Sequence, residues 1–390
     1  MQKFIPYGKH KIFNSDLKEV KKSLKSNLIS NGEYIKKFEN SFKKFTGCKY
    51  ALTCSSGTAA IHLALEAAGV KKFDNIIIPS INFIAAANLS KKIGANIFLA
   101  DVDKLTGQMK PSDLINCIKK NNLKKIKVFF VMHNGGNAQY LKEFNRIKKR
   151  YKTILIEDAC HALGGKYYDK KKSKVGSCKY SDMTTFSFHP LKSITTGEGG
   201  MVTTSNKSYF EKIKLLRNHG ILRKKSTNTK NHWSYDVVMP GYNYRMSDIN
   251  CALGFSQLKK INNFINKRKK IALYYSKKLK NFSSILQVPF CQKQLNSAWH
   301  LYIVNINFKK LKISKDTFIN KLYKKKIITQ VHYIPTFRQS AYKKLNKSKL
   351  INTKKYFDNS LSLPIFYDLS KNNQNWVINF KKKIFKEFEK

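Results

Sequence analysis

The chain has 390 residues, 42% of them hydrophobic, and a formal net charge of +53 from 76 Lys+Arg against 23 Asp+Glu. This length and apolar content support a large buried core, in two domains or in one large α/β domain with an appendage. Such a charge ordinarily marks a nucleic-acid or anionic-membrane partner. Here lysine is spread in pairs beside Ile and Asn, arginine is scarce, and no RNA- or DNA-recognition motif accompanies the charge. The lysines therefore read as solvated faces of a biased composition, so no specific nucleic-acid partner is expected; a basic polyanion-binding protein is the alternative from a different class. Seven cysteines, Cys48, Cys54, Cys117, Cys160, Cys178, Cys251 and Cys291, form no C-x-x-C pair and are odd in number. That pattern points to a reducing cytosol rather than to a disulfide framework. The start of the chain has no continuous apolar run, and no stretch approaches about eighteen uninterrupted apolar residues. Neither a signal peptide nor a membrane span is expected, and the expected location is cytoplasmic; no metal site is expected.

In chain order, residues 16–47 predict two short helices. The first carries Leu17, Val20 and Leu24 on its apolar face and the second Ile35, Phe38, Phe42 and Phe45, with a loop over 27–32 between them. Residues 51–54 read as a strand that runs through Ser55-Ser56-Gly57-Thr58 into a helix over 59–68, ended by Gly69. This turn places backbone N–H groups and the positive end of a helix where a phosphate can sit. The plainer reading is an ordinary strand-to-helix turn capped by Thr58. Strands and helices then alternate: strand 76–79, helix 84–92, strand 96–100, a helix after Pro111, strand 128–132, helix 140–150, and strand 153–156 ending in Glu157 and Asp158. Strands with little alternation, joined by amphipathic helices, predict a mostly parallel sheet covered on both faces. Its site then lies outside the carboxyl ends of the strands, where Ser55 to Thr58, Phe83, His133 to Asn137 and Asp158 fall.

The stretch from Thr184 to Met201 holds a single lysine, Lys192, in apolar, hydroxyl-rich and then glycine-rich surroundings. A lysine amine taken out of bulk water loses proton affinity and becomes a nucleophile for a carbonyl. Alone, a lysine near glycines is more often an ordinary surface residue. Asp158 closes an apolar strand and needs a cationic or hydrogen-bonding partner, for which a protonated ring nitrogen serves; strand-terminal aspartates also cap turns. His161 by itself reads as a packed polar residue. Further on, 201–204 predicts a strand and 210–217 a helix, 223–236 a mobile polar loop, and 249–261 a helix leading toward a linker. From about residue 263 helices and short strands, such as 299–304 and 327–333, predict a smaller α+β domain. The expected division is a large cofactor-binding domain over 1–255 and a small C-terminal domain over 256–390.

A phosphate cradle, an aromatic after a strand, a strand-terminal Asp and a later Lys together meet the needs of pyridoxal phosphate. With Ser187-Phe-His-x-x-Lys192 and Thr195-Thr-Gly-Glu-Gly-Gly200, the chain resembles the DegT/DnrJ/EryC1/StrS sugar-nucleotide aminotransferases over nearly its whole length. The resemblance implies the α/β fold of the fold type I pyridoxal phosphate-dependent transferases. It implies that Lys192 forms the Schiff base with the cofactor, that Ser187 and the Gly57-Thr58 backbone bind its phosphate, and that Phe83 stacks on its ring. Asp158 would pair with the ring nitrogen, with His161 beside it. Asn243 would reach the phosphate from the partner subunit, implying a homodimer with shared sites, and Arg245 is the candidate for the carboxylate of the amino donor.

Within the family, Arg217-x-His-Gly220, Ala252-Leu-Gly-x-Ser-Gln-Leu-Lys-Lys260 and Gln330-Val-His-Tyr-x-Pro335 resemble the branch that acts in pseudaminic acid biosynthesis. By that likeness Tyr7, the loop of Asn27, Leu28, Ile29 and Ser30, and Gln330, Val331, His332 and Tyr333 would touch the nucleotide sugar. The reaction implied is transfer of an amino group from L-glutamate to C4 of a 4-keto-6-deoxy nucleotide sugar, in two half-reactions. A GDP-perosamine-type aminotransferase is the nearest rival, because His133-Asn-Gly-Gly-Asn137 departs from the family's Gly-x-Pro loop. That loop, the N-terminal loop and the Gln330 segment are the expected carriers of sugar specificity. Lys192 argues against the dehydratase branch, whose members carry histidine there; a catalytically silent relative is the remaining alternative.

Overall fold

The computed structural model describes residues 4–223, 233–282, 284–289, 296–345 and 350–388. Cys291 and most of the polar loop expected over 223–236 lie outside the described residues.

The chain begins with α1 (Asn14–Leu24) and α2 (Glu33–Thr46). An alternating run follows: β1 (Tyr50–Cys54), α3 (Gly57–Ala67), β2 (Asn75–Pro79), α4 (Ala85–Ile93), β3 (Asn96–Ala100), α5 (Pro111–Lys120), β4 (Val128–Met132), α6 (Leu141–Arg150) and β5 (Ile154–Asp158). Then come β6 (Met183–Ser187), β7 (Gly200–Thr204), α7 (Lys207–Leu216) and a small hairpin of β8 (Ile221–Leu222) and β9 (Asp236–Val237). The seven-stranded sheet has the order β1-β7-β6-β5-β4-β2-β3, and only β7 runs against its neighbours. Alternation within the strands explains why both faces are covered. Phe129 packs on one side with Phe42 and Phe144, while Val128 and Phe130 pack on the other with Ala60 and Leu63.

After α8 (Asp248–Leu258) and the long α9 (Ile261–Leu279), the chain builds a three-stranded antiparallel sheet. Its members are β10 (Leu286–Gln287), β11 (Tyr302–Ile306) and β12 (Ser360–Leu363), accompanied by α10 (Lys315–Lys324), α11 (Ile351–Asn359) and α12 (Lys371–Phe388). Ile271, Tyr275, Tyr302, Val304, Phe318, Leu322 and Leu363 form a separate core there, joined by Ile5 from the chain's start. This is the α/β fold expected, a mostly parallel sheet plus a smaller C-terminal antiparallel one. The division expected at 255/256 falls inside α8.

Four local expectations need correction. Leu17 and Leu24 of α1 are exposed, and Asp16 and Ser23 face inward instead. Asp16 accepts from the backbone N–H of Phe13 at 2.9 Å and from Gln257 Nε2 at 2.7 Å, and pairs with Lys260 at 2.8 Å, so α1 docks through a polar contact that periodicity cannot reveal. Ser56 rather than Thr58 caps α3, its Oγ accepting from Ala59 N at 3.0 Å. The strand expected over 299–304 begins only at Tyr302. Residues 327–333 form no strand; Ile327 and Gln330 make isolated bridges, to Ile5 and Ser362.

Candidate active site

Strands β1, β2, β4, β5 and β6 end on one edge of the large sheet, and a cavity of about 580 Å³ opens there. It is lined by Tyr7, Gly57, Thr58, Phe83, Asp158, His161, Ser187, Lys192, Gln330, Val331, His332 and Tyr333, all singled out in the sequence. Parallel strands explain the convergence of residues far apart in the chain: pairing of β5 with β6 sets Asp158 opposite Thr185, two residues short of Ser187.

The β1–α3 turn forms one wall. Gly57 begins α3, and a Cβ there would lie 2.7 Å from Ser187 Cβ and 3.4 Å from Cys160 Sγ, so glycine lets this helix start approach β6. Gly200 in β7 is equally constrained, since a Cβ would meet the Ser56 carbonyl at 2.2 Å. Lys192 sits on a tightly closed loop. Phe188 N donates to Gly199 O at 2.8 Å, Thr196 N to Phe188 O at 3.0 Å, and Lys192 N to His189 O at 2.9 Å. The Thr195 hydroxyl also donates to Phe188 O, at 3.1 Å.

Asp158 is buried at the end of β5, with Oδ1 accepting from Cys160 N at 3.1 Å. Beside it, Glu157 points to the other side of the strand and is completely buried. It accepts from Tyr167 OH at 2.8 Å, Ser181 Oγ at 2.5 Å and Thr184 Oγ1 at 3.2 Å, and meets His133 Nε2 at 2.6 Å. His133 is therefore committed to the interior, and none of residues 133–137 lines the cavity. This corrects the expectation that the His133 loop sits at the mouth of the sheet and reads the sugar.

The opposite wall comes from the C-terminal half. Gln330 N–H and C=O exchange bonds with Ser362 at 3.2 and 2.8 Å, His332 Nδ1 lies 2.8 Å from Ser362 Oγ, and Tyr333 OH lies 2.8 Å from His161 Nε2. Phe83, 52% exposed, faces the Tyr333 ring at 5.8 Å between centroids. Tyr7 is carried in by the N-terminal segment, whose Ile5 pairs with Lys326 and Ile328, and its ring lies 5.7 Å from His332. His300, Asn82, Cys160 and Leu191 also line the cavity and were not singled out. Asn82 stands directly before Phe83, the only signal by which it was accessible.

Desolvation dominates the electrostatics. Burial holds the Lys192 amine below the ordinary lysine range, with Cys160 and Asp158 pulling the other way. Burial first, then Lys192, pushes His161 well below the usual imidazole range, and burial brings His332 down to about 3. Burial, then Asp158, pushes the Tyr333 phenol well up. Around neutral pH His161 and His332 are thus neutral, and they share the cavity with the Tyr7 and Tyr333 phenols, Lys192 and the carboxyl groups of Asp158 and Glu198.

Other expected site residues stand elsewhere. Asn27, Leu28, Ile29 and Ser30 are exposed and do not line the cavity. Asn243 is exposed and bridges Asn218, while Arg245 donates to Asn218 Oδ1 at 2.7 Å. Neither reaches this chain's own cavity. Among the described residues no group of three or more His, Cys, Asp or Glu is placed to hold a metal ion, and no helix is long and apolar enough to cross a membrane.

Comparison with known proteins agrees with this geometry. The profile of the DegT/DnrJ/EryC1/StrS aminotransferase family matches residues 10–380. The chain is 35% identical over 376 residues to the UDP-4-amino-4,6-dideoxy-N-acetyl-β-L-altrosamine transaminase of Campylobacter jejuni, covering 96% of this chain and 95% of that one. It is 31% identical over 381 residues to the spore coat polysaccharide biosynthesis protein SpsC of Bacillus subtilis, covering 96% and 95%. Among solved structures, Helicobacter pylori PseC, an aminotransferase involved in pseudaminic acid biosynthesis, superposes with a TM-score of 0.89 at 28% identity, over 99% of this chain and 100% of that one. The chain belongs to the DegT/DnrJ/EryC1/StrS aminotransferase family and is a sugar aminotransferase whose cofactor is pyridoxal phosphate.

Proposed function

We propose that this enzyme transfers an amino group from L-glutamate to C4 of a UDP-linked 4-keto-6-deoxy sugar, giving UDP-4-amino-4,6-dideoxy-N-acetyl-β-L-altrosamine, a step of pseudaminic acid biosynthesis in the cytoplasm. The observation that carries the reading is the single cavity in which Lys192, Asp158, Ser187 and the Gly57–Thr58 helix start meet Tyr7 and residues 330–333. The residues present fit pyridoxal phosphate: the start of α3 offers unpaired backbone N–H groups, and the close Gly57–Ser187 approach forms a cradle that a Cβ would fill.

When bound, the cofactor supplies an electron sink for proton removal next to nitrogen. In our reading Ser187 and the α3 start would hold its phosphate, Phe83 would cover its ring, and Asp158 would accept from its ring nitrogen. His161, fixed by Tyr333, packs beside it. Lys192, its amine desolvated, would anchor the group and would serve as the base that takes the proton from the Cα of glutamate. Tyr7 and Gln330 to Tyr333 face the nucleotide sugar. We assign Asn243 to the cofactor phosphate of a second copy, Arg245 to the donor carboxylate, and Asn27 to Ser30 to the sugar across the same dimer. We also take a large cofactor-binding lobe and a small C-terminal lobe, linked through α8 and α9, as the working division.

Incubation with L-glutamate and a panel of 4-keto nucleotide sugars, with mass spectrometry of the products, tests the reading. The UDP-linked N-acetyl sugar is expected to be converted fastest. Similar rates on unrelated sugars defeat the specific substrate, and sedimentation as a monomer defeats the shared site.

A further inference from the structure

Gln339 follows the single helical turn Thr336–Arg338 and lines the cavity from its C-terminal wall. Its backbone is held at both ends, the N–H donating to Thr336 O at 3.1 Å and the carbonyl accepting from Tyr342 N at 2.9 Å. Thr336 N donates to Ser80 O, just past β2, at 3.1 Å, and Tyr342 OH donates to Asn88 Oδ1 of α4 at 2.5 Å, so this turn is tied to the large sheet. The side chain is left free. Gln339 is half-buried, and among the described residues no hydrogen bond reaches its carboxamide, which is also not among the polar groups buried without a partner. A donor and an acceptor on a fixed backbone are thus accessible at the cavity wall.

The neighbourhood is aliphatic. Ile61 and Ala85 share one apolar cluster with Phe337 and Tyr342, which flank Gln339 on either side, and Ile84 packs against that cluster. Ile61, Ile84 and Ala85 line the cavity too, together with Ile334, which is 48% exposed. Lys192 is the only lysine among the described lining residues, and none of them is an arginine.

The nucleotide sugar offers three kinds of surface to such a wall. The diphosphate is anionic and gains little from aliphatic side chains with no cation among them. A sugar carries polar groups on most of its edges, and a single open carboxamide would leave most of them unpaired. The base has two apolar faces and one edge bearing donors and acceptors, the combination that aliphatic side chains and one carboxamide complement. Resting on the function proposed above, we propose that Gln339, with Ile61, Ile84 and Ile334, forms the subsite for the base of the nucleotide sugar. The carboxamide hydrogen-bonds the edge of uracil, and the aliphatic side chains cover a face.

The test uses the holoenzyme and its Gln339→Ala and Ile334→Ala variants, with folding checked by melting temperature and cofactor absorbance. Calorimetry at physiological salt compares the binding of UDP with that of inorganic pyrophosphate. Each substitution is expected to weaken UDP by about threefold to tenfold and to leave pyrophosphate within about twofold. In turnover, KM for the nucleotide sugar rises while kcat stays within about twofold. The change in cofactor absorbance on adding L-glutamate alone keeps its wild-type rate, because that half-reaction involves no base. Unchanged UDP binding in folded variants overturns the proposal, as does an equal loss of UDP and pyrophosphate. A slowed glutamate half-reaction with UDP binding intact also overturns it and assigns Gln339 to the amino donor. A wild type that binds GDP more tightly than UDP defeats the UDP-sugar reading by itself. The base subsite then stands if Gln339→Ala weakens GDP and spares pyrophosphate, and falls if it does not.

Discussion

Lys192 owes its reactivity to its surroundings. The loop closed by Phe188, Thr195 and Thr196 takes its amine out of water, and burial lowers its proton affinity from the ordinary 10.5. Replacement by Ala is expected to abolish the lysine-linked absorbance of the cofactor and to lower kcat by at least about a thousandfold. The direction of the shift makes a second prediction. The rate at which the cofactor-free enzyme captures added pyridoxal phosphate rises with pH as the amine loses its proton, and it levels off below the range of a free lysine. Asp158 raises the proton affinity of Lys192, so Asp158→Asn is expected to move that midpoint to lower pH, read from the growth of absorbance against pH. An unshifted or upward-moving midpoint contradicts this account.

At the level of elements, the β1–α3 turn and the end of β5 carry the site. Gly57→Ala places a methyl group 2.7 Å from Ser187 Cβ, so either α3 or β6 must yield. Weaker cofactor affinity, by about tenfold or more, is expected with a smaller change in melting temperature, because the strain falls where the phosphate is proposed to sit. The end of β5 is held from behind. Glu157→Leu leaves His133, Tyr167 and Ser181 without their buried acceptor, and a loss of about 3–5 kcal/mol in denaturant unfolding is expected. The same network explains why the His133 loop was misread. A histidine after a strand in an α/β sheet sits on the ligand edge by position, but a buried carboxylate one strand away draws it inward.

At the level of the whole molecule, the charge of +53 is distributed as surface lysine, and Lys192 is the one lysine lining the cavity, beside Asp158 and Glu198. Binding to arbitrary duplex DNA, measured by fluorescence anisotropy, is therefore expected at low salt and to collapse toward physiological salt. Retention at physiological salt would restore the polyanion reading. The two halves of the molecule meet over the cavity, and within the C-terminal half Arg268 of α9 fixes the backbone of His300, which lines the cavity. Its buried guanidinium donates to His300 O at 3.1 Å and Ile365 O at 2.9 Å, with burial bringing it down to about 10.

Strand and helix order was legible in the sequence because apolar five-residue runs such as Val128–Met132 and amphipathic helices such as α2 are local signals. The Lys192 stretch, the Gly57 turn, Phe83 and Asp158 were legible because each stands at the end of such an element, where an α/β sheet puts its ligands. Burial facts set by distant partners were not. The inward face of α1 depends on Gln257 and Lys260, and the inward turn of His133 depends on Glu157. The sequence by itself determined the elements, the lysine and the family, since these rest on spacing along the chain. Only the tertiary structure decided which polar groups turn inward and with whom they pair, because hydrogen-bond satisfaction is a property of neighbours in space.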